Sequence, residues 1–248
     1  MDPQDSRGGA APAADAAAIT AVMSTMRAMR RLSPDPVPAE LVEALIRAAT
    51  WAPSAARGRG QRFIVVTDRE VIARMAGLWR VVVDFYLEAA APAGAGYGSD
   101  PHTAGMLEAI RYQRDHFAET PVVVVVCYDQ REAERRIRGQ RAAFLRALVR
   151  LGPRRAFRTL RDLRAFASRS EAASIYPAVE NLLLAARANG LGANLTTWHL
   201  FAEAELKALL GIPPGVRTFA VVPIGWPLGR FGPVGAPALD EVVHRDRW

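Results

Sequence analysis

Hydrophobic positions follow two patterns along the chain. Continuous apolar runs at residues 63–67, 121–127 and 216–223 are typical of buried strands. Between them, apolar residues recur every three or four positions, which predicts helices. The predicted helices cover residues 16–31, 38–51, 69 into the 80s, 102–117, two stretches between 131 and 169, 171–189 and 202–210. The sequence therefore predicts a mixture of strands and longer helices.

The first predicted helix ends in a basic cluster. Arg27, Arg30 and Arg31 are spaced i, i+3, i+4, which would place their guanidinium groups on one helical face. Arginine offers planar, forked donors that match phosphate oxygens, so this face predicts an anion site. A solvated helix end is the alternative, because the helix dipole favours cations there.

Several segments of the chain resemble the nitroreductase family of flavin-dependent oxidoreductases, which bind FMN at a dimer interface. In order from about Thr25 to the C-terminus, they are MRAMRRLSPDPVP, AATWAPSAA, RFIVVTD, IYPAVENLLLAARANGLGANLTTWHL and LLGIPPGVRTFAVVPIGWPLGRFGP. The resemblance implies an α+β fold, with a central, mostly antiparallel sheet flanked by helices, and an intertwined homodimer. It also implies FMN and NAD(P)H as cofactors and a nitro, quinone-like or otherwise conjugated small molecule as electron acceptor.

The same resemblance implies the residues that hold the flavin. The segment after Gly190 and Gly192 would direct main-chain N–H groups at N5 of the ring. The implied cofactor-binding residues are Arg27, Ala28, Arg30, Pro53, Ser54, Ala55, Arg57, Leu195, Thr196, Thr197 and Arg230. No catalytic side chain is implied, since the flavin carries the hydride chemistry. His199, just beyond the flavin-facing segment, is a candidate proton donor, and no histidine has metal-ligand spacing.

This chain departs from the family pattern at positions expected near the phosphate. Met26 stands where the family has Arg, Ala28 where it has Ser, and residues 235–237 read Gly-Ala-Pro where it has a basic pair. Each charge-assisted contact to a phosphate contributes about 1.5–3 kcal/mol, so losing one would weaken flavin binding by one or two powers of ten.

The loop after the second helix also differs from the family. Arg57, Arg59 and Gln61 stand where Asn, Gln and Trp are usual. Compensating contacts to the phosphate are open to Arg31, Arg57, Arg59 and Arg230. These differences favour an alternative in which the fold has weak or no FMN binding and serves as a ligand-binding or sequestering module.

Composition limits the remaining possibilities. The chain has 248 residues, half of them hydrophobic, so it can bury a substantial core. Its single cysteine, Cys127, lies in the apolar run PVVVVVC and is predicted to be a core residue rather than a nucleophile. We find no secretory signal and no apolar stretch long enough to span a bilayer, and therefore expect a reducing, cytoplasmic setting.

The net charge of +7 has a local origin. Thirteen arginines lie between Arg131 and Arg169, in two predicted amphipathic helices separated by Gly152-Pro153. Such a run suggests nucleic acid as a partner. Because no aromatic platform or helix-turn-helix pattern accompanies it, a solvated face or the rim of a site for an anionic substrate is the favoured interpretation.

The predicted organisation is a disordered tail at residues 1–15 and a single nitroreductase-like domain at 16–248. Within that domain, residues 129–169 form the Arg-rich helical insertion. Residues 226–248 form a C-terminal arm that, by family analogy, crosses to the partner subunit and adds an edge strand. The Gly-rich stretch at 89–101 follows a helix rather than a strand, so it is predicted to be a loop, either a lid or a linker, and not a nucleotide fingerprint.

Overall fold

The structure is a computed structural model. It describes residues 13–54, 60–90, 101–131, 135 and 139–248, without the side chains of residues 90, 101, 102 and 164. Ala55 and Arg57 of the predicted site, most of the predicted N-terminal tail and the centre of the Gly-rich loop lie outside the described residues. Ala13 to Asp15, predicted to be disordered, are helical.

The α-helices whose bounds are used below are numbered along the described chain. They are α1 (Ala13–Thr25), α2 (Ala39–Thr50), α3 (Arg69–Ala90), α4 (Pro101–His116), α5 (Arg141–Leu151), α6 (Pro153–Ala188), α7 (Glu203–Leu210) and α8 (Leu239–Val242). The strands are β1 (Gln61–Val66), β2 (Val122–Asp129), β3 (Gly192–Ala193) and β4 (Val216–Gly225), and short 3-10 turns cover Phe117–Glu119 and Trp198–Ala202.

The four strands form one sheet in the order β1-β2-β4-β3, and every neighbouring pair is antiparallel. The predicted α+β fold with a mostly antiparallel sheet is therefore confirmed. Strand β2 lies between two partners, and Val124 pairs with Val65 on one side and Val222 on the other.

Helices cover both faces of the sheet. Successive side chains of a strand point to opposite faces. Val124 therefore packs with Leu45 of α2 and Leu182 of α6, whereas Val125 packs on the other face with Ile72 of α3. Burial on both faces explains why β2 is a continuous run of valines rather than an alternating pattern.

Strand β1 differs from the predicted buried strand, because it lies at the edge of the sheet and Val65 is 42% exposed. The prediction for Cys127 is confirmed. Its side chain is fully buried, and this burial raises the pKa of the thiol to about 12.

The first helix ends six residues earlier than its pattern predicts, at Thr25. The following residues are extended because their main chain bonds elsewhere. Met29 N–H donates to the Ala193 carbonyl at 3.0 Å, Leu228 N–H donates to the Arg31 carbonyl at 3.0 Å, and Leu32 bridges to Pro227. The prediction of three arginines on one helical face is therefore wrong.

The second predicted basic helix and the predicted central helix are one continuous helix, α6. The predicted break before it is confirmed, since Gly152 has a φ of 74° and Pro153 occupies the first helical turn. No helix in the described part of the chain is both long and apolar enough to cross a membrane.

Candidate functional site

A cavity of about 130 Å³ lies beside the edge of the sheet that is formed by β3. It is bounded by the extended segment after α1, by α3 and α4, and by the chain that follows β3. The lining residues are Arg30, Trp79, Ile110, Gln113, Asn194, Leu195, Thr196, Thr197 and Trp198. Four of them, Arg30 and the segment Leu195, Thr196 and Thr197, are predicted cofactor-binding residues.

Arg30 brings a cation to the cavity wall. The main-chain bond from Met29 to Ala193 fixes the preceding residue against β3, and Met29 is buried. The Arg30 side chain is half-buried, and no hydrogen bond or salt bridge of its guanidinium is found among the described residues. Burial lowers the pKa of Arg30 below its ordinary value, with the nearby Tyr86 acting in the opposite sense. A half-buried cation without a partner is suited to an anionic or electron-rich ligand.

The chain after β3 adds main-chain donors to the same wall. Thr196 and Val221 exchange two hydrogen bonds, at 3.0 and 2.9 Å, which fixes the N–H of Thr196 toward β4. In an extended chain successive N–H groups point in opposite directions, so those of Leu195 and Thr197 point away from β4. Neither has an acceptor among the described residues, which leaves both available to a ligand.

Aromatic rings form the apolar part of the wall. Trp79 stacks on Trp198 with centroids 5.4 Å apart, and Tyr86 contacts Trp198 at 4.6 Å. Elsewhere in the cavity lining, the buried Gln113 side chain donates to the Asn194 side-chain oxygen at 2.8 Å. This bond joins α4 to the chain just before the donor segment and fixes that wall of the cavity.

The other predicted residues near the first helix lie outside the cavity. Arg27 and Ala28 are exposed on the same extended segment. Arg31 forms a salt bridge with Glu108. Arg230 is exposed on a segment that runs beside residues 24–31, since Val234 N–H donates to the Ser24 carbonyl. Arg27 and Arg230 are therefore on the same side of the molecule as the cavity but do not line it.

Pro53 and Ser54 lie at a distance from this cavity. They follow α2, which packs with α6 on one face of the sheet, whereas Trp79 packs on the opposite face. Their segment leads into β1, which is separated from β4 by β2. One subunit therefore does not bring Ser54 to Arg30.

His199 lies in a separate cavity of about 20 Å³ lined also by Trp79 and Trp198. Both ring nitrogens are buried and neither forms a hydrogen bond of ordinary length with the described residues, although the Thr196 main chain and Glu203 lie near enough to oppose part of the effect of burial. Burial lowers the pKa of His199 to about 4, so the ring is neutral near pH 7. A neutral ring outside the larger cavity is poorly placed to supply a proton there.

Several cavity residues were missed by sequence reasoning. Trp198 directly follows the predicted donor segment, and this adjacency was an available signal. Trp79, Ile110 and Gln113 come from α3 and α4, far from that segment along the chain. Nothing in a single sequence connects Gln113 with Asn194, because only the folded chain brings them together.

Comparison with known proteins identifies the class of protein that has this fold. The class is that of the flavin-dependent oxidoreductases, as predicted from the sequence. The family model described as the nitroreductase family matches residues 23–226, and the chain belongs to that family.

Solved structures with the same fold cover 93% of this chain at low sequence identity. Iodotyrosine deiodinase bound to FMN and 3-iodo-L-tyrosine has a TM-score of 0.61 and 18% identity over 99% of its own chain. The NADPH:FMN oxidoreductase from Vibrio harveyi complexed with NAD+ has a TM-score of 0.60 and 17% identity over 78% of its chain. Nitroreductase A from Vibrio parahaemolyticus has a TM-score of 0.58 and 16% identity over 76% of its chain. At these identities the likeness concerns the fold.

Proposed function

We propose that the protein is an FMN-dependent oxidoreductase that passes electrons from NAD(P)H to a nitro, quinone-like or otherwise conjugated small molecule. The observation that carries this proposal is the convergence of unpaired donors on one cavity. The Arg30 guanidinium and the N–H groups of Leu195 and Thr197 all lack acceptors among the described residues. FMN-bound and NAD+-bound structures among the proteins of the same fold support the choice of cofactors.

The residues present fit a flavin. Bound FMN would supply the hydride chemistry. The N–H groups of Leu195 and Thr197 would donate to acceptors on the ring, and Arg30 would favour a ring carrying negative charge. Arg27 and Arg230, exposed nearby, are the candidates for the phosphate. Trp79 and Trp198 would exclude water from one side of the ring, where electrostatic interactions then become stronger.

The size of the cavity supports a homodimer as the active form. A volume of about 130 Å³ is small beside the roughly 300–1,000 Å³ of typical small-molecule pockets. The predicted second half of the site, Pro53 and Ser54, lies on another face of the same subunit. We infer that a second copy supplies these residues and completes the site.

The predicted cytoplasmic setting stays a prediction.

The visible spectrum of the purified protein tests the proposal. We expect a yellow protein with flavin absorbance that bleaches when NADH or NADPH is added without oxygen and returns when a nitroaromatic acceptor follows. A colourless protein that also fails to quench FMN fluorescence in a titration would refute it. That result would favour the sequestering module, which the exposed Gly235 and Ala236 in place of a basic pair already suggest.

A further inference from the structure

The basic character of the protein is concentrated in one helical hairpin. We call residues 141–170 the Arg hairpin: α5, the turn at Gly152 and the N-terminal half of α6. It contains nine arginines and one acidic residue, Asp162. The rest of the chain has 23 basic and 24 acidic residues, and so is close to neutral. The net charge of +7 therefore comes from this hairpin.

These charges are almost uncompensated. Among the described side chains of the hairpin, Arg161 alone has an ion-pair partner, Asp162 at 2.8 Å. Helix α5 has no buried residue. Large apolar side chains alternate with the arginines and are also exposed, including Val149 at 80% and Phe157 at 68%. The hairpin thus presents both an uncovered apolar surface and a strong positive field.

The hairpin cannot serve the cavity of its own subunit. The cavity follows the C-terminal end of α6 at Ala188, while the hairpin occupies the N-terminal end of that helix. At 1.5 Å per residue, Ser170 and Ala188 are about 27 Å apart along the helix. This distance exceeds two Debye lengths at physiological salt, which are about 8 Å each.

The hairpin does lie at the same end of the molecule as the segment that contains Ser54. The end of α2 contacts α6 through Asn181, which donates to the Ala48 carbonyl at 3.2 Å. The start of β1 contacts α6 closer to the hairpin, where Gln61 donates to the Ser174 carbonyl at 2.9 Å. The start of β1 therefore lies closer to the hairpin along α6 than the end of α2 does.

Two contacts of Glu171 hold the base of the hairpin to the sheet. The carboxylate of Glu171 accepts hydrogen bonds from Arg217 of β4 at 2.9 Å and from Gln130, just after β2, at 2.7 Å. Glu171 is the residue after the hairpin, and its side chain is only 14% exposed. The base of the hairpin is therefore fixed to β4 and to the end of β2, the strand that pairs with β1.

We propose that the Arg hairpin of each subunit forms the positively charged approach to the cavity of the other subunit and selects anionic reactants. This inference rests on the proposed function, in which a second copy brings Ser54 to the cavity. Because the hairpin is anchored at the same end as Ser54, that copy carries its arginines to the rim of the same site. The reactants favoured are small conjugated molecules that bear a carboxylate or phosphate, drawn in by the field of the hairpin.

Charge reversal on the exposed arginines tests the selection. The hairpin variant, Arg154→Glu with Arg158→Glu, reverses two charges on one face of α6. The control variant, Arg74→Glu with Arg245→Glu, reverses two charges at exposed positions outside the hairpin. The kcat/KM for 4-nitrobenzoate and for the neutral 4-nitrobenzyl alcohol would be compared at low and high salt. We expect the hairpin variant to lose about tenfold for the anion at low salt, with little change for the neutral acceptor. The control variant should retain both values.

A second measurement tests the position of the hairpin without turnover. The buried Cys127 thiol should not react, so Ala165→Cys on the hairpin and Leu200→Cys beside the cavity can be cross-linked selectively with a short bis-maleimide. We expect a covalent dimer on a denaturing gel from the double-cysteine variant, and none from either single variant. Monomers alone, after both cysteines have reacted, would overturn the placement.

The outcomes separate this inference from the function on which it rests. If the protein retains FMN and is reduced by NAD(P)H, but the hairpin variant loses rate equally for both acceptors or for neither, only the inferred selection is wrong. If the wild type neither retains nor takes up FMN, the proposed oxidoreductase function is refuted, and the selection falls with it.

Discussion

Replacing Arg30 by methionine is the most direct test of the site. Methionine keeps the length and apolar part of the side chain and removes the cation. The Arg30 guanidinium is half-buried, lines the cavity and has no hydrogen bond or salt bridge among the described residues. A structural arginine would be paired, as Arg31 is with Glu108. Arg30 should therefore contribute to ligand binding and not to the stability of the ligand-free protein.

Two opposite effects are expected from this substitution. A hydrogen bond involving a charged group contributes about 1.5–3 kcal/mol, so the Kd for FMN should rise by about 10- to 150-fold. Removing a half-buried cation that lacks a partner should instead raise the free energy of unfolding of the flavin-free protein by about 1 kcal/mol. Loss of affinity together with a gain in stability distinguishes a ligand-binding residue from a structural one.

Quenching of FMN fluorescence measures the affinity, and urea unfolding of the flavin-free protein measures the stability. Arg31→Met is the matched control, because it makes the same change in the neighbouring residue whose guanidinium is already paired with Glu108. We expect the control to bind FMN within about threefold of wild type, since exposed salt bridges contribute about 0–1 kcal/mol. Wild-type affinity in Arg30→Met, or loss of stability in the flavin-free protein, would refute the assignment of Arg30.

Two further substitutions test the packing around the site. In Gly192→Ala the added Cβ would lie 2.8 Å from the Leu32 side chain, so the free energy of unfolding, measured with urea, should fall by about 1–3 kcal/mol. The control Gly77→Ala in α3 places its Cβ in free space, so its free energy of unfolding should rise by about 0.5–1 kcal/mol. A stable Gly192→Ala would show that the segment carrying Arg30 can shift. Burial lowers the pKa of His199 from 6.5 to about 4, so the unfolded state binds its proton first and stability should fall as the pH drops from about 6.5 to 4. His199→Gln should lose less stability over that range in unfolding titrations, and an equal loss in both proteins would contradict the buried neutral ring.

The sequence by itself determined the elements that depend on local pattern. Strand β2 could be predicted because both of its faces are covered, which requires the continuous run of valines. Helix α2 could be predicted because its buried positions, such as Leu45 and Ala49, recur at helical spacing. The order of the motifs also identified the family, and through it predicted Arg30 and the segment 195–197 as cofactor-binding residues. These features are encoded by neighbours along the chain.

The tertiary structure alone decided how the site residues are distributed. Residues 26–31 carry a helical spacing of arginines but are extended, because Met29 bonds to Ala193 in a distant part of the chain. Hydrogen bonds of this kind join segments that are far apart in the sequence, so the local pattern of residues cannot reveal them. They direct Arg30 into the cavity and leave the N–H groups of Leu195 and Thr197 unpaired. The packing of α2 against α6 places Ser54 on another face of the subunit, which is the physical reason why we infer that a second copy completes the site.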